Sequence, residues 1–292
     1  MKRGRVLRTN HNEQDTTATM IALPRTIRIA MLNADTPVPN VVAKRGSYGN
    51  IFHDLLVAAA SRVAPHITIE AEDFDVVRGE YPRSPSDFDT LLVTGSASSS
   101  YDDIQWIHKL DAYLLDVYQN YPQVRLFGSC FGHQIICQSI LSNYGAYVAK
   151  NPQGWEIGVH EIKVTPAYRK ACYDQPSLRL QFIHSDNVNI PSPEALPSSW
   201  ITMGSTDKCA IQGVYEPGRV LTYQGHFEFD RFINSETLKV FGAKWDAQIL
   251  QSALDNTDLD DDSEVAANMV VKFMMEGRQA VEGIGGLMTP PL

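Results

Sequence analysis

One cysteine stands between two glycines at the end of an apolar run. The stretch FGSCFGHQ, residues 127–134, places Cys130 midway between Gly128 and Gly132. A buried strand, then Gly-x-Cys-x-Gly, then helical spacing is the pattern of a nucleophile elbow with sulfur in place of the serine oxygen. Residues two positions to either side of such a nucleophile come too close for a Cβ atom, which explains both glycines. The pattern predicts an exposed thiol nucleophile; the alternative is a small buried residue at a tight turn.

The helix predicted to begin just after Cys130 would assist the chemistry in two ways. Its N-terminal N–H groups and dipole favour the thiolate form of the cysteine. The same N–H groups, above all that of Phe131, can donate hydrogen bonds to an oxyanion that develops on a substrate carbonyl. Cysteine hydrolases of other folds share this arrangement, so the elbow alone leaves the substrate open.

A thiol nucleophile also needs a base, and the base needs a group that orients it. Among eight histidines, His226 is the candidate because it ends a predicted strand in LTYQGHFEF and is followed two residues later by Glu228. On an extended chain this spacing places both side chains on one face. Glu228 could then accept a hydrogen bond from the imidazole and fix its tautomer. A lone His-x-Glu is ordinarily a surface pair, and only the elbow makes it a candidate.

Four short motifs resemble those of the class I (triad) glutamine amidotransferase domain, and they occur in the same order along the chain. Residues 128–134 match its G-x-C-x-G-x-Q motif, and residues 224–228 resemble its Q-G-H-P-E motif with Phe227 in place of the proline. Residues 94–96 match its oxyanion loop, and FIHSDNV at 182–188 is similar to its H-x-D-x-V segment. The likeness extends from about residue 27 to 250.

This resemblance implies the roles of the catalytic residues. It makes Cys130 the nucleophile, His226 the base and acid, and Glu228 the group that orients the histidine. It assigns the oxyanion N–H groups to Gly95 and Phe131.

The resemblance also implies a pocket for the γ-glutamyl unit, with no metal and no cofactor. The residues that it assigns to this pocket are Ser96, Gln134, His184, Ser185 and Asp186. For His184 and Asp186 a structural role, in which polar side chains at a strand end tie down a loop, is an equal alternative.

Apolar periodicity predicts the elements that would position these residues. Strands are predicted at 26–32, 66–74, 90–95 and 124–127, with helices at 48–63, 104–118 and 132–141. Their order is that of an α/β fold with a mainly parallel twisted sheet flanked by helices. Alternating segments at 156–165, 178–186, 200–205, 209–215 and 219–229 predict a β-rich second half that extends the same sheet. The resemblance implies the flavodoxin-like arrangement of class I glutamine amidotransferases.

The chain is expected to divide into three segments: a disordered tail at 1–24, a catalytic domain at 25–252, and a C-terminal segment at 253–292. The last would hold an acidic, solvated linker at 254–264, a helix at about 264–279 and a loose tail. Ser263 is the predicted cap of that helix. Its apolar face would carry Val265, Met269 and Phe273, with Met274 or Glu276.

Composition limits the partners. A net charge of −9 argues against nucleic acid. No run approaches the roughly 18 apolar residues of a membrane helix, and the N-terminal stretch lacks the apolar core of a secretory signal. Four scattered cysteines without a CxxC pair indicate reduced thiols. We therefore expect a cytoplasmic protein, and the resemblance implies a small-molecule γ-glutamyl substrate.

Within the family, three segments favour the stand-alone members, including plant γ-glutamyl peptidases and their fungal relatives. These segments are residues 75–82, 95–110 and 154–162. They imply a hydrolase of γ-glutamyl amides, such as a γ-glutamyl peptide or a glutathione conjugate, that works through a γ-glutamyl thioester. One alternative is a glutaminase subunit that delivers ammonia to a separate synthetase. The sequence carries no P-loop or adenylating motif, so under this alternative the synthetase would be a partner protein. The other is a non-catalytic binding module on the same fold.

Overall fold

A computed structural model of the chain describes residues 25–277. The strands in this range are β1 Arg25–Asn33, β2 Ile67–Asp75, β3 Thr90–Val93, β4 Arg125–Ser129, β5 Tyr147–Lys150, β6 Glu156–Val164, β7 Ser177–His184, β8 Asp186–Asn189, β9 Ile201–Thr202, β10 Gly204–Ser205, β11 Val214–Glu216 and β12 Val220–Tyr223. The helices in the same range are α1 Pro39–Arg45, α2 Tyr48–Val63, α3 Gln105–Asn120, α4 Phe131–Leu141, α5 Pro166–Ala171, α6 Arg231–Phe241, α7 Ala247–Thr257 and α8 Ser263–Met275. The tails predicted at 1–24 and after the last helix fall largely outside the described residues.

Seven strands form the central sheet, in the order β2-β1-β3-β4-β12-β11-β9. Neighbours from β2 to β12 are parallel, whereas β11 pairs antiparallel with both β12 and β9. Every residue of β3 and β4 is buried, as expected for parallel strands that are covered on both faces. The predicted α/β fold with a mainly parallel sheet is confirmed.

Alternate residues of the central strands enter two hydrophobic cores, one on each face of the sheet. On one face Met31 packs in a cluster with Phe52 of α2 and with the apolar side of α8. On the other face Leu32 packs in a cluster with Leu114 of α3 and Ile135 of α4. The turn that carries Cys130 joins β4 to α4 and is therefore anchored in the second core.

The predicted elements of the first half lie within one or two residues of the observed ones. The prediction missed α1, a helix of seven residues that is too short to show a helical period. Pro39 at its first position suits a helix start, where a missing N–H costs nothing.

The second half extends the central sheet only in part, which corrects the prediction. β9, β11 and β12 join it, but β6, β7 and β10 form a separate three-stranded sheet, and β5 pairs with β8. The apolar members of β6 change phase between Val159 and Ile162, and the two parts of the strand have different surroundings. Ile162 is buried in the core of the sheet–α2–α8 face, whereas Asn256 of α7 donates to the carbonyls of Ile157 and Val159.

Three predicted strands are shorter than expected. The segment 209–215 contributes to β11 only from Val214, and the segment 219–229 is a strand only to Tyr223. The segment 200–205 divides at Met203 between β9 and β10, which belong to different sheets. His226 thus follows a strand by three residues, and its N–H donates to the carbonyl of Gln181 in β7.

The predicted acidic linker is more ordered than a solvated loop. Its first four residues are the end of α7, and Asp262 accepts hydrogen bonds from the backbone and side chain of Arg179. Ser263 is the first residue of α8 and does not cap it. Met269, Phe273 and Met274 are buried as predicted, but Val265 is 38% exposed and Glu276 lies beyond the helix.

Two surface features complete the fold. β2 forms one edge of the central sheet, and its solvent-facing side chains include Glu70, Glu72 and Asp73. Within residues 25–277, no helix combines the length and apolar character that would be needed to cross a membrane.

Candidate active site

Cys130 occupies a strained turn between β4 and α4. Its backbone angles are φ 52° and ψ −106°, and among the described residues it is the one non-glycine residue at positive φ. Holding an L-residue there costs on the order of 1–3 kcal/mol, and such strain is typical of functional sites. A Cβ on Gly128 would collide with the backbone of Gly132, and one on Gly132 would collide with the carbonyl oxygen of Val93. Both glycines of the motif are therefore required by close packing.

The structure brings His226 and Glu228 to this turn as a buried pair. Nδ1 of His226 lies 2.6 Å from Oε1 of Glu228, and because a carboxylate only accepts, Nδ1 donates. Ser129, the residue before the cysteine, donates its hydroxyl to the same carboxylate at 2.9 Å. Nε2 of His226 is buried and has no hydrogen-bond partner among the described residues. This tautomer leaves Nε2 available to exchange a proton with Cys130.

The electrostatic surroundings of His226 favour its charged form. Burial by itself lowers the pKa of this imidazole, but the carboxylate of Glu228, followed by Cys130, outweighs burial and raises the pKa to about 10. The His226 imidazole beside the thiol therefore favours its protonated form. Cys130 is 6% exposed, so its thiol lies inside a cleft and not on the open surface, in contrast to the prediction.

Aromatic rings hold the imidazole in place. His226 stacks on Phe229 with centroids 3.9 Å apart and planes at 15°, and Phe229 stacks in turn on Tyr48. Phe227, which replaces the proline of the resembling motif, is 1% exposed and packs edge-on against Phe52 at 5.4 Å. Its side chain thus enters the core while the His226–Glu228 hydrogen bond is kept.

The two predicted oxyanion donors border the thiol. A Cβ on Gly95 would lie 3.1 Å from Cε1 of His226 and 3.7 Å from Cβ of Cys130, so Gly95 faces both. Phe131 is the first residue of α4, and N–H groups in the first turn of a helix have no partner within it. The Phe131 side chain is buried against Trp106, so only its backbone is available to a ligand.

Most of the predicted catalytic, oxyanion and substrate-binding residues line one cleft of about 210 Å³. The members of the predicted set that line it are Gly95, Ser96, Cys130, Gln134, His184, Ser185, Asp186 and His226. Glu228 lies behind the histidine. Residues 95–98, which follow β3, and Trp155, which precedes β6, also line the cleft.

Gln134 connects the elbow helix to the strand that carries Asp186. Its side-chain amide donates to the carbonyl oxygen of Asp186 at 3.0 Å and to Oε1 of Gln224 at 3.1 Å. Gln224 in turn approaches Sγ of Cys130 at 3.6 Å. Gln134 therefore lines the cleft, and the fully buried Gln224 lies behind it, next to the nucleophile.

The side chains of the predicted H-x-D segment are already engaged. Nε2 of His184 lies 2.9 Å from the buried carboxylate of Glu156, and Nδ1 lies 3.0 Å from the carbonyl of Asp186. Asp186 accepts from Ser99 at 2.6 Å. Ser96 likewise accepts from the N–H of Ser98. These contacts fit the structural role, while the predicted substrate role stays a prediction.

Glu156 is a charged anchor that sequence reasoning missed. Although it is 1% exposed, it accepts from His184, Gln212 and Thr206. Burial opposes the carboxylate form, but these hydrogen bonds prevail and lower the pKa of Glu156. Nothing in its alternating strand distinguishes it from a surface glutamate. Ser129 and Gln224 also went unassigned, although both lie within the motifs that carry the resemblance.

His133 and Cys137 of α4 are fully buried. Nδ1 of His133 lies 2.8 Å from the hydroxyl of Thr222, and burial lowers the pKa of His133 to about 3. This histidine is neutral and takes no part in the cleft.

Comparison with known proteins identifies the family. The family model described as glutamine amidotransferase class-I matches residues 54–239. A glutamine amidotransferase-like protein of Schizosaccharomyces pombe is 28% identical over 254 residues, which cover 85% of this chain and 98% of the relative. Gamma-glutamyl peptidase 2 of Arabidopsis thaliana is 28% identical over 215 residues, which cover 70% and 82%.

A solved structure shares the fold. It is a glutamine amido transferase from Methylobacillus flagellatus, with a TM-score of 0.61, 21% identity, and coverage of 87% of this chain and 95% of that one. At this identity the likeness concerns the fold alone.

Proposed function

Because this chain belongs to the class I glutamine amidotransferase family, we propose that it is a cysteine hydrolase of γ-glutamyl amide bonds. The observation that carries the proposal is the strained Cys130 at the N-terminus of α4, with the His226–Glu228 pair beside it in one cleft. The proposed nucleophile comes from one part of the chain, and the proposed base and the group that orients it come from a second part.

The proposed reaction has two halves. Because the charged form of His226 is favoured, its Nε2 holds the proton that it shares with Cys130, and the sulfur attacks the γ-carbonyl carbon of the substrate. The N–H groups of Gly95 and Phe131 donate to the resulting oxyanion. Collapse breaks the C–N bond, the imidazolium protonates the departing amine, and a γ-glutamyl thioester remains on Cys130. His226 then deprotonates a water molecule, which attacks the thioester and releases glutamate and the free thiol.

We propose that a γ-glutamyl peptide is preferred to free glutamine, without a partner protein. Two observations support this preference. One relative, whose alignment covers 70% of this chain and 82% of its own length, is named as a γ-glutamyl peptidase. The cleft also continues past Trp155, which is 39% exposed, so it leaves room for a leaving group larger than ammonia. Contacts with that larger group can supply binding energy that glutamine cannot.

The test is turnover by the purified chain alone. Glutamine and a γ-glutamyl dipeptide are compared by kcat/KM, and acyl-enzyme is sought on Cys130 by mass spectrometry after rapid acid quench. We expect a higher kcat/KM for the dipeptide and a γ-glutamyl adduct on Cys130, which is absent in Cys130→Ala. Full activity of Cys130→Ala would refute the covalent mechanism.

One alternative keeps the same chemistry but changes its use. Phe241 is 44% exposed and lines the same cleft as Trp155, and such apolar side chains at a cleft mouth also suit a synthetase that caps it and receives ammonia. Clear preference for glutamine, or activity that requires an added synthetase, would favour this glutaminase subunit. Absence of any turnover or adduct would favour the non-catalytic binding module.

A further inference from the structure

A second groove opens beside the active cleft and shares Trp155 with it. Trp155 immediately precedes β6, and Trp245 lies just ahead of α7 on the opposite wall. The two indole rings have centroids 5.8 Å apart, with planes at 59°. Because Trp155 also lines the cleft of Cys130, the two depressions adjoin at this side chain.

The groove exposes a set of large apolar side chains. Ile249 and Leu259, which line it, are 59% and 52% exposed. A single exposed apolar residue on a surface is ordinary, but a contiguous set at the mouth of a cleft indicates a binding surface. The aromatic and aliphatic mixture suits a ring or an alkyl chain.

Its walls are firmly attached to each other. Asn256 of α7 donates to the carbonyl of Ile157 at 2.8 Å and to that of Val159 at 3.3 Å. Gly158, at φ +78°, allows this approach, because a Cβ there would lie 2.7 Å from Nδ2 of Asn256. The groove is therefore preformed and would not need to be ordered when a ligand binds.

The charged side chains around the groove already have partners. Nζ of Lys208 donates to the carbonyl of Trp155 at 2.7 Å. Asp246 caps α7 by accepting from the N–H of Gln248, and Asp255 accepts from the amide of Gln251. What the groove offers a ligand is thus mainly apolar surface.

From these observations we infer that the groove binds an apolar or aromatic group on the leaving amine of the γ-glutamyl substrate. The inference rests on the proposed function. The γ-glutamyl unit would occupy the cleft near Gln134, and the amine side would extend across Trp155 toward Trp245 and Ile249. These three groove residues would determine specificity for the leaving group without taking part in the chemistry.

The experiment compares γ-glutamyl-phenylalanine with γ-glutamyl-glycine as substrates. Partial burial of a phenyl ring in the groove predicts about a tenfold higher kcat/KM for the first. In Ile249→Ser this preference should fall about threefold, and in Trp245→Ala it should nearly vanish, while kcat/KM for γ-glutamyl-glycine is retained. Val240→Ser is the matched control, because Val240 is 54% exposed and lines neither depression.

The outcomes separate the two proposals. Equal kcat/KM for both dipeptides, or groove variants that lower both values alike, would overturn the groove assignment and leave the hydrolase function in place. Hydrolysis of neither dipeptide would overturn the hydrolase function and the groove assignment with it. An unchanged preference in Ile249→Ser and Trp245→Ala would show that the phenyl group binds elsewhere.

Discussion

The backbone of Cys130 is held in a conformation that glycine tolerates better than any other residue. At an ordinary position alanine is more stable than glycine by about 0.5–1 kcal/mol. Because Cys130 has φ 52°, we expect this order to reverse: Cys130→Gly should be more stable than Cys130→Ala by about 1 kcal/mol. Urea unfolding of both inactive variants measures the difference.

Cys172 provides the control for this comparison. It is half-buried, and its φ is −151°, a conformation open to any residue. There the alanine variant should be the more stable of the pair, and both should keep wild-type kcat/KM. If alanine is also the more stable residue at position 130, the turn stores no strain.

The carboxylate of Glu228 is expected to set the alkaline limit of activity. Glu228→Gln removes the charge that raises the pKa of His226 to about 10, so burial should then dominate and lower that pKa. We expect kcat/KM to fall about 10²-fold, with its alkaline limb moved to lower pH. His226→Ala should be more damaging than Glu228→Gln, since the histidine moves protons in both half-reactions.

The same pair links stability to pH. Its folded-state pKa lies above the ordinary value of 6.5, so its contribution is fully present below about pH 6.5 and is lost as the pH rises toward 10. Urea unfolding of the wild type should show this loss, and Glu228→Gln should show less of it. An equal slope in both proteins would contradict the assignment.

At this scale the sequence was informative wherever chemistry demands a fixed spacing. The elbow, His226 and Glu228 could be found because two glycines and a His-x-Glu pair leave a pattern that the structure brings together. Glu156 could not be found, since its partners Gln212 and Thr206 lie about fifty residues away. No local pattern distinguishes a buried, paired carboxylate from an exposed one.

Among the secondary-structure elements, α4 depends on Gly132 for its position over β3. A methyl group there would collide with the carbonyl of Val93, so Gly132→Ala should force the helix outward. We expect a loss of about 2 kcal/mol or more in the free energy of unfolding and a large fall in kcat/KM. Chemical denaturation and steady-state kinetics on the same preparation test both.

Gly218→Ala separates this collision from simple backbone strain. Gly218 has φ +68°, and apart from its two chain neighbours no atom of the residues that the structure describes lies within 4 Å of the position that a Cβ would occupy. Its substitution should cost only about 1–2 kcal/mol and leave kcat/KM unchanged. Equal losses of activity in both variants would argue against a special role for the helix position.

The sequence predicted the presence of strands more reliably than it predicted which sheet each strand joins. Alternation identified the strands of the second half, but a period of two is the same in every sheet. It could not show that β6 and β7 leave the central sheet. The segment after Tyr223 alternates like a strand but is not part of one. His226 and Glu228 lie in the candidate active site, and Phe227 packs in the core.

For the whole molecule, α8 packs into the main core, although the predicted catalytic domain ends at residue 252. Met274 is fully buried beside α2 residues in the core cluster. Met274→Ala should therefore lower the free energy of unfolding by about 2–5 kcal/mol. Val265→Ala on the same helix, at a position that is 38% exposed, should change it by less than about 0.5 kcal/mol.

Thermal unfolding followed by circular dichroism measures this pair of variants. A single transition that shifts down in Met274→Ala would show that α8 unfolds together with the sheet. A separate early transition would instead support the predicted boundary between a catalytic domain and a C-terminal segment.

The acidic edge of the central sheet has a consequence for self-association. β2 is a nine-residue edge strand, and a long edge strand offers backbone groups on which a second molecule can add its own strand. Glu70 pairs with Arg28 of β1 at 3.7 Å, but Glu72 and Asp73 add negative charge along this edge, so two copies that approach edge to edge repel one another. These charges on β2 therefore disfavour the addition of a strand from a second molecule, and with it edge-to-edge aggregation.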